Sequence, residues 1–265
     1  MKITGHIPGR DIIENPERIE RTLNRNLGIE LQLTADVLEK VPLKFFSKLA
    51  EKLADKPVTF HAPFMDLNPG AIDKYVREAT LKRFKELKPA AEILKPEVIV
   101  FHSGFYPRKV LPVYDRWIKN CVETFKEVCD LFPETKIAVE NVFDDVPDYL
   151  NELLEKVNRK NMGICIDVGH LNIFSKLPLE DWLNLFADKI FEFHIHDNDG
   201  INDLHIAAGN GTFNFQPLFD FLKENRENPL ILTLEAKTEK DQMESFQFLI
   251  NNLAGDEDGN KNISR

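Results

Sequence analysis

The chain has 265 residues, of which 43% are hydrophobic and 29% are charged, with a formal net charge of −10. A chain of this length can bury one large core, so we expect a single domain. The acidic balance argues against tight binding of duplex nucleic acid, because that affinity depends largely on Lys and Arg that neutralise phosphates. The acidic net charge does not exclude a local basic groove.

The amino terminus and the cysteines indicate the compartment. The opening sequence "MKITGHIPGR" lacks the apolar region of a secretory signal, and no apolar run approaches the roughly 20 residues of a membrane span. Cys121, Cys129 and Cys165 contain no CxxC pair, which is typical of buried thiols in a reducing compartment. We therefore expect a cytoplasmic protein that does not contact a membrane.

Short apolar or alternating runs recur along the chain and are separated by longer segments of helical period. They predict eight strands at residues 2–6, 28–33, 57–62, 97–103, 136–141, 163–168, 190–196 and 230–236. Asn15 and Pro16 predict the N-cap and first position of the first helix. Apolar residues at helical spacing predict further helices over 114–129 and 243–253, the latter with Ile250 on its apolar stripe.

Strands that alternate with helices predict parallel pairing through right-handed crossovers. Eight such units in about 250 residues favour an α/β fold of the closed (β/α)₈ TIM barrel type, with an open doubly wound sheet as the alternative. The predicted catalytic barrel domain spans residues 1–255. The closing residues 256–265, "DEDGNKNISR", are expected to be a disordered tail.

Polar, titratable residues stand at or just after the carboxyl end of nearly every predicted strand. They are His6, His61, His102, Glu140, Asn141, Asp167, His170, His194, His196 and Glu235. In a TIM barrel these strand ends form the mouth where active sites are built. The pattern therefore predicts one site assembled from residues far apart in sequence.

Several carboxylates in one place repel one another and lose hydration, and a divalent cation removes that cost. Mixed carboxylate and imidazole ligands suit Zn, Mn, Co or Fe, and they do not distinguish among these metals. In "FEFHIH" the alternation places Glu192, His194 and His196 on one face and Phe191 on the other. Spacing alone does not decide which of the two histidines is a ligand.

Two features of the loop after the seventh strand have more than one interpretation. Asp203 and His205 could hold a second metal, bind a substrate hydroxyl or form a plain loop pair. The glycine-rich turn "GNGTF" at 209–213 lacks the spacing of a nucleotide-binding loop, so we do not assign it that function.

The motifs "HAPF", "FHSG", "VEN", "CIDVGH", "HIHD", "DLHIAAGNG" and "LEAK", in this order, resemble the xylose isomerase-like barrel superfamily. That superfamily joins sugar isomerases and epimerases with abasic-site nucleases of the endonuclease IV type. The resemblance to the epimerases implies that Glu140, Asp167, His194 and Glu235 are metal ligands. His194 is preferred to His196 because the family histidine stands three residues before an acidic residue, here Asp197.

The resemblance to endonuclease IV implies further zinc ligands at five positions. They are His61, His102, His170, Asp203 and His205, all of which carry suitable side chains. His6 and His196 lie nearby without an assigned role. Against the nuclease stand the acidic charge, the lack of a basic, aromatic-tipped loop after the second strand, and the isomerase-like "GIEL" at 28–31.

The resemblance implies a divalent-metal-dependent isomerase or epimerase that acts on an open-chain sugar, sugar phosphate or related polyol through an enediolate. Glu140 and Glu235 would be the catalytic acid and base. The alternatives are a zinc-dependent abasic-site endonuclease and a non-catalytic barrel that binds a sugar or metal. Ketohexose epimerases carry a substrate-gripping arginine where this chain has Gly200, so a ketohexose is not assigned as substrate. A homo-oligomer is compatible with these features.

Overall fold

A computed structural model describes residues 1–253. The predicted tail at 256–265 lies outside the described residues, as do residues 254 and 255 of the predicted domain. The eight strands are β1 (Lys2–Ile7), β2 (Gly28–Gln32), β3 (Val58–His61), β4 (Val98–His102), β5 (Lys136–Glu140), β6 (Met162–Asp167), β7 (Ile190–Ile195) and β8 (Ile231–Leu234). Every predicted strand is present.

The segments between the strands are helical. Within residues 1–253 the helices are α1 (Gly9–Glu14), α2 (Glu17–Asn24), α3 (Ala35–Lys40), α4 (Leu43–Leu53), α5 (Lys74–Lys85), α6 (Lys88–Leu94), α7 (Pro107–Val110), α8 (Tyr114–Leu131), α9 (Asp148–Val157), α10 (Val168–Phe174), α11 (Leu179–Phe186), α12 (Gln216–Glu224) and α13 (Glu239–Leu253). Short 3₁₀ turns at Leu111–Val113 and Ala187–Lys189 join two of them to their neighbours.

The eight strands form one closed, parallel barrel. Each strand pairs with the next, and β1 pairs with β8 to complete the ring. Because parallel neighbours need crossovers, the helices surround the barrel and bury its outer face. Ile29, Phe60, Ile99 and Phe101 point outward from the sheet into this layer and are 0% exposed. The predicted (β/α)₈ barrel is confirmed, and the open sheet is excluded.

Two local predictions about helices were wrong. The first helix is α1, and Asn15 ends it by donating its backbone N–H to the carbonyl of Asp11. Pro16 is the N-cap of the next helix, α2, without a side-chain cap. In α13 Ile250 is 38% exposed, whereas the other predicted members of the apolar stripe, Met243, Phe246 and Leu253, pack partly buried against the core. The most deeply buried positions include Gln242 and Leu249, so the face toward the barrel is rotated slightly from the predicted stripe.

Inside the barrel, apolar side chains form an inner apolar cluster below the mouth. Its members are Val98, Val100, Ala138, Cys165, Phe191 and Ile231. The register between β6 and β7 shifts, since Ile164 pairs with Ile190 but Cys165 pairs with Glu192. The extra residue, Phe191, joins this cluster instead of the outer face, which corrects the prediction from simple alternation.

Candidate metal centre

The mouth layer consists of side chains at the carboxyl ends of the strands. Its members are His6, His61, His102, Glu140, Asp167, His194 and Glu235. Strand register brings them together, because His102 pairs with Glu140 and Asp167 pairs with His194 across adjacent strands. The other three histidines of the chain are His170 in α10 and His196 and His205 in the loop after β7, and all three contact residues of this layer.

The four residues that the epimerase resemblance implies as ligands lie around one atom, Nδ1 of His194. This nitrogen is 3.1 Å from Oε2 of Glu235, 3.7 Å from Oε2 of Glu140 and 3.7 Å from Oδ2 of Asp167. Glu140, Asp167 and His194 are at most 1% exposed. Three carboxylates and one imidazole thus point their donor atoms at a common point.

The donor atoms of this group fit a divalent cation. Nδ1 of His194, Oε2 of Glu140 and Oε2 of Glu235 are buried and make no well-directed hydrogen bond among the described residues, although each lies within ion-pair distance of another charged group. Buried polar atoms in native proteins are nearly always hydrogen-bonded, so three that converge without such a bond are suited to a ligand. Three oxygens and one nitrogen form a ligand set that suits Zn, Mn, Co or Fe.

The electrostatics lead to the same conclusion. Burial alone would raise the pKa of Glu140, but the His102 and His194 rings hold it well below its usual range. Burial alone would lower the pKa of His194, but the Cys165 thiol and the Glu235 carboxylate hold it well above the usual range. The carboxylates are therefore ionised against positive histidine. A cation at this point would supply the same charge in place of the proton.

A second group flanks Glu140 on the side of β3 and β4. Nε2 of His61 and Nε2 of His102 lie 3.3 Å and 3.2 Å from Oε2 of Glu140. Burial lowers the pKa of His61, but its contact with Glu140 outweighs this and raises the value to about 9. The Phe64 ring stacks on His102 with centroids 4.4 Å apart and shields this side of the site.

A third group lies above α10 and includes both of the loop residues whose role was left open. Nε2 of His205 is 3.2 Å from Oδ2 of Asp203, and Nε2 of His170 is 3.6 Å from the same oxygen. Nδ1 of His170 lies 3.0 Å from Oε1 of Glu140, which joins this group to the centre. Asp203 and His205 are thus part of the mouth and not a separate surface pair.

His196, which had no assigned role, contacts a ligand of the centre. Its Nε2 lies 3.0 Å and 3.1 Å from the two oxygens of Asp167, and its ring stacks on His205 with centroids 3.8 Å apart. Gly169 makes room for this ring, since a Cβ atom there would lie 2.0 Å from it. His196 is therefore placed to orient Asp167.

The loop after β7 is organised around Asp197. Its carboxylate accepts hydrogen bonds from the backbone N–H groups of Asn198, Gly209, Gly211 and Phe213. The glycine-rich turn at 209–213 thus surrounds an internal carboxylate, in the way that such turns surround external anions.

Gly200 has a conformational reason to be glycine. Its φ is +76°, in the left-handed region, and its N–H donates to the side chain of Asn198 at 2.9 Å. An arginine at this position would be strained. The conformation of this turn therefore favours glycine at the position where the ketohexose epimerases have arginine.

Two glutamates lie inside the barrel, and the sequence analysis placed only Glu192, on the face of His194, without a role for either. Glu30 and Glu192 are both 0% exposed and lie below the mouth layer. Glu30 contacts His6 and His194, whose positive charge outweighs burial and lowers the pKa of Glu30 to about 2. Burial raises the pKa of Glu192 to about 8. The signal was the alternation in "GIELQ", which turns Glu30 inward between two apolar outward residues.

The fold and this geometry define a TIM barrel with a carboxylate and histidine site at its mouth. A family model described as the xylose isomerase-like TIM barrel matches residues 27–252. The chain belongs to the xylose isomerase-like TIM barrel family. Within residues 1–253, none of the helices is both long and apolar enough to cross a membrane.

Individual relatives and structures agree with this placement. The uncharacterized protein MJ1311 of Methanocaldococcus jannaschii is 30% identical over 217 residues, which cover 78% of this chain and 73% of that protein. A D-tagatose 3-epimerase-like protein has a TM-score of 0.82 at 24% identity, covering 96% of this chain and 97% of that one. The TTHB071 protein of Thermus thermophilus, soaked with ZnCl2, has a TM-score of 0.77 at 24% identity, covering 96% and 98%. The two structures share the fold.

Proposed function

We propose that this protein is a divalent-metal-dependent isomerase or epimerase that acts on an open-chain sugar, sugar phosphate or related polyol through an enediolate. The observation that carries the proposal is the convergence of Glu140, Asp167 and Glu235 on Nδ1 of His194, with three of the four donor atoms buried and without a well-directed hydrogen bond within residues 1–253. The epimerase-like and zinc-soaked structures of the same fold support it.

Glu140, Asp167, His194 and Glu235 would hold the metal. When bound, a divalent cation supplies a Lewis acid that stabilises negative charge on substrate oxygens. The mouth also gives the two glutamates a second function, because they project from β5 and from the end of β8. They can therefore flank a substrate that lies across the mouth, one removing a carbon-bound proton and the other returning it.

Each glutamate has one oxygen directed at the centre and another near a histidine. Oε1 of Glu140 lies 3.0 Å from Nδ1 of His170, and Oε1 of Glu235 lies 3.7 Å from Nδ1 of His6. These histidines keep the carboxylates ionised and ready to accept a proton. His170 is also placed to donate a hydrogen bond to a substrate oxygen.

The test is exchange of substrate protons with solvent. The protein, loaded with Zn or Mn, is incubated in D2O with a panel of aldoses, ketoses and their phosphates, and deuterium uptake at carbon is measured. We expect uptake with at least one class, and loss of uptake in Glu140→Gln and Glu235→Gln. Glu134→Gln is the matched control, because Glu134 is exposed at the opposite end of the barrel. Full turnover in both mouth variants with metal retained would overturn the proposal.

A second candidate is a zinc-dependent abasic-site endonuclease of the endonuclease IV type. The observation that favours it is that two further groups, His61–His102–Glu140 and His170–Asp203–His205, each bring their donor atoms within 4.8 Å of one another. All nine positions that the nuclease resemblance implies as ligands therefore lie around one mouth. The net charge of −10 weighs against it.

Zinc stoichiometry separates the two candidates. The nuclease predicts about three zinc ions per chain and cleavage of duplex DNA at an abasic site. One metal ion per chain without cleavage would exclude it. Metal and sugar binding without turnover of any tested substrate would instead identify the non-catalytic barrel.

A further inference from the structure

Glu30 connects the mouth layer to the interior of the barrel. Its Oε1 lies 2.7 Å from Nδ1 of His6, and its Oε2 lies 3.2 Å from Nε2 of His194. The opposite nitrogen of His194, Nδ1, faces the ligand carboxylates. The His194 ring is thus held between Glu30 on one edge and the candidate metal position on the other.

The location of Glu30 is costly unless it serves these contacts. Layers inside a TIM barrel are usually filled by branched apolar residues. A fully buried carboxylate is destabilising unless it is paired and hydrogen-bonded, and apolar side chains would often serve stability as well or better. Both carboxylate oxygens of Glu30 contact histidines, so we expect the effect of Glu30 to be on the orientation and protonation of those histidines.

A carboxylate that accepts from one nitrogen of an imidazole determines which nitrogen carries the proton. The Glu30 oxygen 3.2 Å from Nε2 of His194 accepts the hydrogen of that nitrogen, and the lone pair of the neutral ring is then on Nδ1. A carboxylate in this position also increases the basicity of the ligand nitrogen. His6 holds the other oxygen of Glu30 and so limits its rotation.

We propose that Glu30 is a positioning residue of the metal centre, which presents Nδ1 of His194 to the metal and strengthens its binding. The proposal rests on the metal centre of the proposed function. It adds a residue from β2 to a site whose ligands come from β5 to β8, and so links the opposite side of the barrel to the metal.

Glu192 provides a matched control inside the same barrel. It is the same residue type with the same 0% exposure, but its Oε1 accepts hydrogen bonds from the hydroxyls of Thr59 and Thr233. A ligand atom of Glu192 lies within 4.8 Å of those of Glu30 and His194, but within the described part of the chain no hydrogen bond joins its side chain to the four candidate ligands. Replacement of either glutamate by glutamine keeps the size of a buried side chain, and only Glu30→Gln changes the hydrogen-bond partner of His194.

The experiment measures the zinc dissociation constant of the full chain by competition with a chromogenic chelator. We expect Glu30→Gln to weaken zinc binding by about 10- to 100-fold, and Glu192→Gln to remain within about threefold of wild type. Glu30→Asp keeps the charge but cannot reach both histidines, so its binding should weaken by about tenfold. It also serves as the second variant if Glu30→Gln does not fold, which circular dichroism will show.

A second readout follows the tautomer of His194 directly. Long-range ¹H–¹⁵N spectra of the zinc-loaded wild type should show a protonated Nε2 and a metal-bound Nδ1, and Glu30→Gln should shift the Nε2 resonance. A merely structural role would lower the melting temperature of both glutamine variants and leave their zinc affinities equal.

The outcomes separate this inference from the proposed function, because the zinc titration needs no substrate. Zinc affinities of both Glu30 variants within about threefold of wild type would overturn the positioning role alone. A wild-type protein that binds no zinc, manganese, cobalt or iron would overturn both. Zinc binding that depends on Glu30 without sugar turnover would support the positioning role and contradict the proposed isomerase.

Discussion

The mouth layer and the inner apolar cluster lie in the same barrel and share the strands β4 to β8. His102 follows Val98 and Val100 on β4, and Glu140 follows Ala138 on β5, always at alternate positions that face inward. Two residues along a strand therefore separate an inward hydrocarbon side chain from an inward titratable one. The lower members pack against one another, whereas the upper members include buried donor atoms that make no well-directed hydrogen bond to any described residue.

The inner apolar cluster therefore stabilises the fold, whereas the mouth layer supplies titratable groups at a cost in stability. Burial of apolar side chains stabilises the fold, by roughly 1.5–3 kcal/mol for a fully buried Val or Ile. Clustered carboxylates and histidines do the opposite until a cation or a substrate compensates them. Substitutions in the two regions should therefore affect different measurements.

The largest expected effect is on turnover. Asp167→Asn removes a charge that faces the metal position, and we expect turnover to fall by about 10²- to 10³-fold. The fold should tolerate the change, because Asp167 caps α10 by accepting from the N–H of His170, and Asn is an equally good cap. Activity assays together with urea unfolding without added metal will check both parts. A fall of several kcal/mol in the free energy of unfolding of this variant would show that the mouth layer also stabilises the fold.

The reciprocal substitution is in the inner apolar cluster. Phe191→Ala leaves a cavity beside Cys165 and Ile231, and we expect the free energy of unfolding to fall by about 3–5 kcal/mol. Turnover per folded molecule should stay close to that of wild type. Phe191→Leu, which fills more of the space, is the matched control. Loss of turnover without loss of stability would contradict the separation of the two regions.

Metal binding should stabilise a variant of the inner apolar cluster as much as wild type, but it should stabilise a variant of the mouth layer much less. At a free zinc concentration about 100-fold above the dissociation constant, binding should stabilise the wild type by about 2.7 kcal/mol. We expect Phe191→Ala to gain the same amount and Asp167→Asn to gain much less. Thermal unfolding with and without zinc measures this. Equal gains in all three proteins would place the binding site elsewhere.

The smallest expected effect concerns Asp144, in the loop after β5. It is 2% exposed, its Oδ1 has no partner among residues 1–253, and burial raises its pKa from 3.8 to about 7. The folded protein thus binds more protons than the unfolded chain between these two pH values, so stability falls as the pH rises through that window. Asp144→Asn should match wild type at pH 4 and be more stable than wild type at pH 8, with the difference growing as the pH rises through this window.

Unfolding by urea at a series of pH values tests this prediction. Asp197→Asn is the contrasting variant, because Asp197 is also buried but accepts four backbone N–H groups. An amide cannot accept all four, so this variant should be less stable than wild type. A pH-independent difference for Asp144→Asn would contradict the origin assigned to it.

The fold and the composition of the mouth could be predicted from sequence because both depend on short-range periodicity. Strand alternation places Glu140 and His194 on inward-facing positions, and the parallel arrangement brings their strand ends to one rim. Phe191 was misplaced because a β-bulge depends on how β6 and β7 pair, which alternation within one strand does not show. The partners of His196 depend on a close approach to Gly169 and His205, which lie in other segments of the chain.

The sequence by itself determined the barrel, the order of its strands and the set of polar residues at its mouth, because periodicity and strand direction are local properties. Only the tertiary structure decided which donor atoms meet, since sub-ångström geometry depends on register, bulges and loop packing around the whole ring. It placed Nδ1 of His194 toward the carboxylates and Nε2 toward Glu30. That orientation depends on contacts between β2 and β7, which are not neighbours in the sheet, and no local sequence pattern contains it.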